Sequence, residues 1–193
     1  MLQDPALPNG CEAVSLAAAL DYAGVAADPL DLTYGYIPRR PFTEQGSTRW
    51  GPSPEEAYPG DPASGRGFYC FAAPLAQGAN AYLDAVGACA RAHDITGVTF
   101  RGLREYLAQG TPVVVWVTTD YGPPRTGSFQ WTVLATGEPV TALANAHCVV
   151  LTALGRTRCM VMDPLQGNLT LRTEEFLSCF EAMGSRALVV RPS

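Results

Sequence analysis

One cysteine near the start of the chain has the sequence context of a nucleophile. Cys11 follows Gly10 at the beginning of an apolar segment that predicts a helix over about residues 10–23. Unpaired backbone N–H groups and the positive end of the helix dipole at this position stabilise a thiolate, which is the reactive form of cysteine. Gly10 has no side chain, so a substrate backbone can approach closely. A small buried residue at a helix start would look the same, so Cys11 alone does not decide between the two readings.

A thiol nucleophile needs a base, and the chain has two histidines. His93 lies in ARAHD, near the polar end of a predicted helix, which favours a surface position. His147 opens the apolar strand HCVVLTAL after the loop segment ALANA. A base at the first residue of a strand is rigidly held and can still reach a cleft at the end of the sheet. We therefore predict that His147 is the general base, although a structural histidine would also fit this position.

A carboxylate falls at the same end of the sheet as His147. Gly155 and Arg156 are typical of a tight turn between two strands, and pairing across that turn brings Asp163 beside His147. Such a carboxylate accepts the other imidazole N–H, fixes the tautomer and stabilises the cation. Asp163 could instead cap the DPLQG turn, and Asn145 is a weaker candidate for the orienting role.

Acyl transfer also needs donors for an oxyanion. The backbone N–H of Cys11 is one candidate, and the side-chain amide of Gln3, eight residues before Cys11, is another. Trp50 and Trp116 are candidates for lining a substrate cleft, although a buried position in the core is the commoner one for such an aromatic.

The pattern of apolar residues predicts an α+β fold with an antiparallel sheet, because helices come first and neighbouring strands follow. Asn9 and Glu12 form a possible capping box at the start of the first helix. A long irregular loop region covers about residues 35–67 and is rich in Gly, Pro and Ser. The further predicted helices cover about residues 75–92, 100–109 and 174–183, and the predicted strands cover 112–119, 129–135, 147–154, 158–162 and 187–191.

Composition and charge narrow the class of protein. The net charge is -5 and no basic run is present, so a nucleic-acid partner is not expected. The sequence has no stretch of apolar residues long enough to be a transmembrane segment and no visible leader. The chain would be cytoplasmic as it stands, or extracellular or in the cell envelope if a leader has been removed. The sequence indicates no oligomeric state.

The cysteines do not form a recognisable metal or disulfide pattern. None of the six forms a CxxC pair, and we expect most to be buried free thiols. A zinc site from His147, Cys148, Cys159 and Asp163 is disfavoured, because neighbouring residues of a strand point to opposite faces. No cofactor is predicted.

Five segments occur in an order that resembles a known family. They are LPNGCEAVSLAAALDYAG, GDPASGRGFYC, GTPVVVWVTT, NAHCVVLTAL and VMDPLQG. Together they look like bacterial papain-like cysteine peptidases related to the bacteriocin-processing, double-glycine leader peptidases, in the stand-alone branch that lacks a transporter. The resemblance covers nearly the whole chain and implies a single papain-like domain over residues 1–193. It also implies Cys11 as nucleophile, His147 as base, Asp163 as orienting acid and Gln3 as oxyanion donor.

Three hypotheses about function follow. The first is a cysteine peptidase that hydrolyses a peptide or protein substrate through an acyl-enzyme. The second keeps the same triad for transpeptidation or for amide hydrolysis on cell-wall or other amides, which differ in pocket shape rather than in nucleophile. The third is a binding module that retains the fold without turnover.

Overall fold

Four of the five segments predicted as strands form the centre of a six-stranded antiparallel sheet, and the fifth, 129–135, overlaps a strand of a second sheet. The structure is a computed structural model that describes residues 2–192. The strands of this central sheet are β5 (Ala90–Asp94), β6 (Val113–Thr118), β9 (Ala146–Leu154), β10 (Arg158–Asp163), β11 (Gly167–Arg172) and β12 (Ala187–Pro192). Their order is β11-β10-β9-β6-β12-β5, and every neighbouring pair is antiparallel. β6 is buried along its whole length, which explains why its sequence is continuously apolar rather than alternating.

Helices cover both faces of the central sheet. They are α1 (Cys11–Tyr22), α2 (Pro29–Asp31), α3 (Ala72–Ala85), α4 (Phe100–Ala108) and α5 (Thr173–Ala182). α1 and α3 pack on one face, where Leu16 and Trp116 belong to one buried cluster. α4 and α5 pack on the other face, where Val115 and Phe176 belong to a second cluster. No helix in the described part of the chain is long and apolar enough to cross a membrane.

The region predicted as an irregular loop contains short strands, two of which form part of a second sheet. Its strands are β1 (Arg39–Arg40), β2 (Thr43–Gln45), β3 (Thr48–Gly51) and β4 (Tyr58–Pro59), and they follow a π-helical turn at Leu32–Tyr36. β2 and β3 join β7 (Thr126–Val133) and β8 (Pro139–Leu143) in the order β2-β3-β7-β8. Phe42, Phe68 and Phe129 hold this region together, with the rings of Phe68 and Phe129 4.4 Å apart.

The predicted helix over residues 75–92 is wrong at its end. α3 stops at Ala85, and Gly87 then adopts a φ of 65°, a left-handed conformation that turns the chain out of the helix. Residues 90–94 instead form β5, at the edge of the central sheet. His93 is therefore a partly buried strand residue paired with Val189, not a residue at a helix end.

The predicted cap of α1 is also wrong. The residue at the helix start is Gly10, without a side-chain cap. The Asn9 side chain donates to Ser64 O at 2.8 Å, and the Asn9 backbone N–H donates to Pro62 O at 2.9 Å. Glu12 is turned into the protein interior instead of capping the helix, and it is 1% exposed.

A buried hydrogen bond fixes α1 against β9. Ser15 Oγ donates to the carbonyl oxygen of Cys148 at 3.0 Å, and Ser15 is fully buried. Ser15 lies one helical turn after Cys11, and Cys148 directly follows His147. The bond therefore sets the position of the helix start relative to the first residues of β9.

We expect Ser15→Ala to lower the free energy of unfolding by about 1–3 kcal/mol, because the substitution removes a buried donor. Urea unfolding followed by circular dichroism would measure the change. The matched control is Ser178→Ala on α5, where the serine is exposed and the change should be close to neutral. Equal effects of the two substitutions would contradict the role assigned to Ser15.

Candidate active site

A buried histidine–carboxylate pair lies at one end of the central sheet. His147 Nε2 and Asp163 Oδ1 are 2.8 Å apart, and their side chains are 2% and 0% exposed. β9 and β10 pair with Met162 opposite Val150, so Asp163 and His147 are diagonal neighbours on the same face of the sheet. The connection is Gly155–Thr157 rather than a two-residue turn, which moves the register slightly from the predicted one and still leaves both residues at the same end.

Asp163 is held as an anion by three donors. Besides His147, Tyr121 Oη donates to Oδ2 at 2.6 Å and the backbone N–H of Leu165 donates to Oδ1 at 2.8 Å. Burial raises the pKa of the Asp163 carboxyl, but the hydrogen bonds from His147, Tyr121 and Leu165 outweigh burial and lower it to about 2. Asp163 is therefore ionised at neutral pH.

The charge of Asp163 determines the tautomer of His147. An ionised carboxylate can only accept hydrogen bonds, so His147 Nε2 carries the proton in this pair. In the neutral imidazole Nδ1 is then unprotonated and has a free lone pair. The pair presents Nδ1 as a base, and the carboxylate stabilises the imidazolium that forms when Nδ1 takes a proton.

Tyr121 was missed in the sequence because it lies in a loop without a motif. It adopts a φ of 54°, which is unusual for a residue with a side chain. Asn145 holds this loop by donating to Asp120 Oδ1 and Pro123 O, each at 3.1 Å, and by accepting from Arg125 N at 2.8 Å. Asn145 thus positions the loop that carries Tyr121. Of the two candidates for orienting His147, Asp163 is the one that bonds to its ring.

Cys11 lies at the first position of α1, beside the backbone of Cys148. The side chain is 6% exposed, and Sγ donates to Glu12 Oε2 at 3.3 Å. Burial and the neighbouring Glu12 carboxylate raise the pKa of the Cys11 thiol well above its ordinary value. The position at the helix start was expected to favour the thiolate, but these two effects favour the neutral thiol. Within residues 2–192 no hydrogen bond joins Cys11 Sγ to the His147 ring.

Glu12 is a second site residue that sequence reasoning missed, because its position suggested helix capping. Its Oε1 accepts from the Cys70 backbone N–H at 3.2 Å, and its Oε2 accepts from the Cys11 thiol. Burial raises the pKa of the Glu12 carboxyl to about 7. The carboxyl next to Cys11 therefore changes its charge near neutral pH.

Gln3 is tied to the same end of the sheet. Its backbone N–H donates to Pro164 O at 3.0 Å, next to Asp163, and its side chain is buried. Nε2 donates to Pro8 O at 2.6 Å, which uses one of its two hydrogens, and Oε1 has no hydrogen-bond partner among residues 2–192. The amide keeps one free N–H.

A cleft of about 300 Å³ is lined by residues that are close in sequence to Cys11 and His147, although neither of these two side chains lines it. Asn9 and Ala146, which lie two residues before Cys11 and one before His147, form part of its wall. Aromatic and small residues form the remainder, including Phe68, Tyr69, Phe129, Leu143 and Ala144. A larger cavity of about 570 Å³ lies beside α5 and includes Tyr121 and Cys179, but it does not include Cys11 or His147.

The two tryptophans predicted as cleft residues lie elsewhere. Trp116 is fully buried, and its Nε1 donates to Cys70 O at 2.9 Å, so its assignment to the cleft is wrong. Trp50 lies beside Pro41 and Leu134 in a separate small depression. The cleft is lined by phenylalanine and tyrosine instead.

Within residues 2–192 all six cysteines are unpaired, and of these Cys89 is exposed. In the described residues, no group of three or more His, Cys, Asp or Glu side chains is placed to hold a metal ion. The side chains of His147 and Asp163 lie on one face of the sheet. Cys148 points to the other face and packs in the cluster under α1.

The sequence and the fold both connect this chain to one class of peptidases. The model of the Peptidase C39-like family matches residues 1–188, and the chain belongs to that family. A crystal structure named as a C39-like peptidase from Bacillus anthracis superposes with a TM-score of 0.84 at 28% identity, covering 100% of this chain and 94% of that one. The predicted papain-like α+β fold, with the Cys11 helix packed on the antiparallel sheet, is confirmed.

The chain is also similar to a protein that is named as uncharacterized. The uncharacterized protein YvpB of Bacillus subtilis is 28% identical over 189 residues, which cover 97% of this chain and 71% of YvpB.

We expect Tyr121→Phe to raise the pKa of Asp163 and to cost about 1–2 kcal/mol of stability at pH 7, because a donor to a buried carboxylate is lost. Asp163 has a folded pKa below its ordinary value of 3.8, so its stabilising contribution is present above about pH 4 and is lost as the pH falls toward 2. The difference between wild type and variant should therefore shrink below about pH 3. Urea unfolding at several pH values would measure it.

The control for this experiment is Tyr106→Phe. Tyr106 packs against the same cluster as Tyr121, and no hydrogen bond of its hydroxyl is found in the described residues. A loss that is the same in both variants, or that does not depend on pH, would contradict the assigned bond between Tyr121 and Asp163.

Proposed function

We propose that the protein is a cysteine peptidase in which Cys11 is the nucleophile, His147 the general base and Asp163 the orienting acid. The observation that carries the proposal is the buried pair of His147 and ionised Asp163, which leaves Nδ1 free as a base at the end of the sheet where α1 begins. Membership of a peptidase-like family supports a peptide or protein as the substrate. We also propose that residues 1–193 form a single peptidase domain.

The chemistry begins with a change in the Cys11 side chain. Sγ turns from Glu12 toward His147, and its proton passes to Nδ1, which gives a thiolate and an imidazolium. The imidazolium is stabilised by Asp163 through the bond at Nε2. His147 lies at the start of β9 and Asp163 at the end of β10, so both are at the same end of the sheet. A substrate bound at this end would also contact the start of α1, where Cys11 lies.

The thiolate attacks the carbonyl carbon of the scissile peptide bond and forms a tetrahedral oxyanion. The Cys11 backbone N–H and the free N–H of Gln3 Nε2 are the proposed donors to that oxygen. The imidazolium then gives its proton to the leaving amine, the C–N bond breaks and an acyl-enzyme forms. Water, deprotonated by His147, cleaves the thioester and regenerates the Cys11 thiol.

The cleft beside Asn9 and Ala146 is the proposed binding site for the peptide. Its small lining residues leave room for a substrate backbone, and Phe68 and Phe129 provide an apolar surface. Peptides that pack apolar side chains there would be bound by burial of apolar area.

We expect the protein to cleave members of a mixed library of short synthetic peptides, and Cys11→Ala to abolish the cleavage. His147→Ala should lower the rate by at least about 100-fold, as expected for loss of a general acid–base. Mass spectrometry of the library before and after incubation under reducing conditions would detect the products.

The second histidine supplies the control. His93 lies on β5, four strands away from β10 in the sheet order, and His93→Ala should leave cleavage unchanged. Cleavage that persists in Cys11→Ala or His147→Ala would refute the assigned triad. A folded protein with no cleavage of any peptide would favour a binding module instead.

A further inference from the structure

The Glu12 carboxyl touches the proposed nucleophile and has no role in the mechanism above. It is 1% exposed, and both of its oxygens are used, Oε1 by the Cys70 backbone N–H and Oε2 by the Cys11 thiol. Burying a carboxyl costs free energy unless it is hydrogen-bonded or neutral. Ser15, one turn along α1, already attaches the helix to the sheet, so this attachment does not require the Glu12 carboxyl.

We propose, resting on the function proposed above, that Glu12 is a further catalytic residue whose carboxylate competes with His147 for the Cys11 proton. In the resting site the thiol hydrogen points to Glu12 Oε2 and not to the imidazole. While Glu12 is ionised, it accepts this hydrogen and its charge opposes formation of a thiolate. Glu12 thus holds Cys11 as a thiol.

Protonation of Glu12 reverses both effects. A neutral carboxylic acid carries no charge against the sulfur, and its O–H becomes a donor to a thiolate. The Cys11 proton is then free to pass to His147 Nδ1, giving a thiolate bonded by Glu12 O–H and an imidazolium bonded by Asp163. No proton or electron is gained or lost in this step beyond the one that Glu12 binds from solvent.

The groups around Glu12 make its charge sensitive to Cys11 in particular. Burial raises the pKa of Glu12 to about 7, and the hydrogen bonds from its own backbone, the Cys11 thiol and Cys70 N–H lower it. The titratable and charged groups that face Glu12 from the elements packed against it are Cys11 of α1, Arg39 of β1, Tyr58 of β4, Tyr69 and Cys70 before α3, and Cys148 of β9. Arg39 is the one cation in this set, and its guanidinium lies over the Tyr34 ring at the surface.

The test is the rate of Cys11 alkylation by iodoacetamide between pH 5 and 9, quantified at Cys11 by mass spectrometry. All variants carry Cys89→Ser, which removes the exposed cysteine. Glu12→Gln keeps the shape and an oxygen for Cys70 N–H but cannot become an anion. We expect Glu12→Gln to react about tenfold faster than wild type at pH 8, which corresponds to about one pKa unit. The two rates should converge below about pH 6, where wild-type Glu12 is neutral.

Glu181→Gln is the matched control, because Glu181 is an exposed carboxylate on α5 and the substitution removes the same charge. Its curve should superpose on that of wild type. Superposition of the Glu12→Gln and wild-type curves across the whole pH range would overturn the inference.

His147→Ala in the same series separates this inference from the proposed triad. Faster alkylation in Glu12→Gln with no effect of His147→Ala would support the role of Glu12 and contradict the base. Slower alkylation in His147→Ala with no effect of Glu12→Gln would support His147 as the base and contradict the role of Glu12.

A second measurement covers the case in which Glu12→Gln does not fold. ¹³C NMR titration of the Glu12 carboxyl in wild type and in Cys11→Ala tests the same contact from the other side. Because the thiol donor lowers the pKa of Glu12, the titration midpoint should rise in Cys11→Ala. An unchanged midpoint would mean that the two groups do not share a proton.

Discussion

The ionised Asp163 carboxylate is the constraint on which the candidate site depends. It is fully buried at the end of β10, and a buried charge persists only where donors surround it. Those donors come from three separate parts of the chain: the His147 ring on β9, the Tyr121 hydroxyl on a loop and the Leu165 amide in the turn after β10. The charge therefore joins a strand, a loop and a turn, and it fixes the histidine tautomer as a consequence.

Neighbouring segments are arranged around the same point. The Gln3 backbone bonds to Pro164, and Asn145 holds the Tyr121 loop through Asp120 and Pro123. The N-terminal segment, the loop before β7 and the start of β9 are thus all attached within a few residues of the carboxylate. These hydrogen bonds hold residues that are far apart in sequence at one end of the sheet.

Much of this arrangement could be predicted from the sequence, and the rest depends on tertiary contacts. The apolar strands and the pairing of β9 with β10 follow from local pattern, so Asp163 was correctly placed beside His147. The first three residues of β5 were predicted as the end of a helix, because ARAHD is too short for its alternation to indicate a strand by itself. Pairing with β12 is what makes the segment a strand. Tyr121 and Glu12 were missed because their partners are 42 and 58 residues away in sequence, and nothing in the local pattern indicates a partner at such a distance.

The two carboxylates of the site illustrate how environment decides chemistry. Asp163 receives three hydrogen bonds that favour its anion, and the pKa falls to about 2. Around Glu12, burial dominates over the hydrogen bonds, and the pKa rises to about 7. One carboxylate thus keeps a constant charge over the physiological range and can orient a base, while the other changes charge within that range beside the sulfur. An anion beside His147 favours the imidazolium, and an anion beside Cys11 disfavours the thiolate. The proton positions that the proposed mechanism requires are therefore most favoured when Asp163 is charged and Glu12 is neutral.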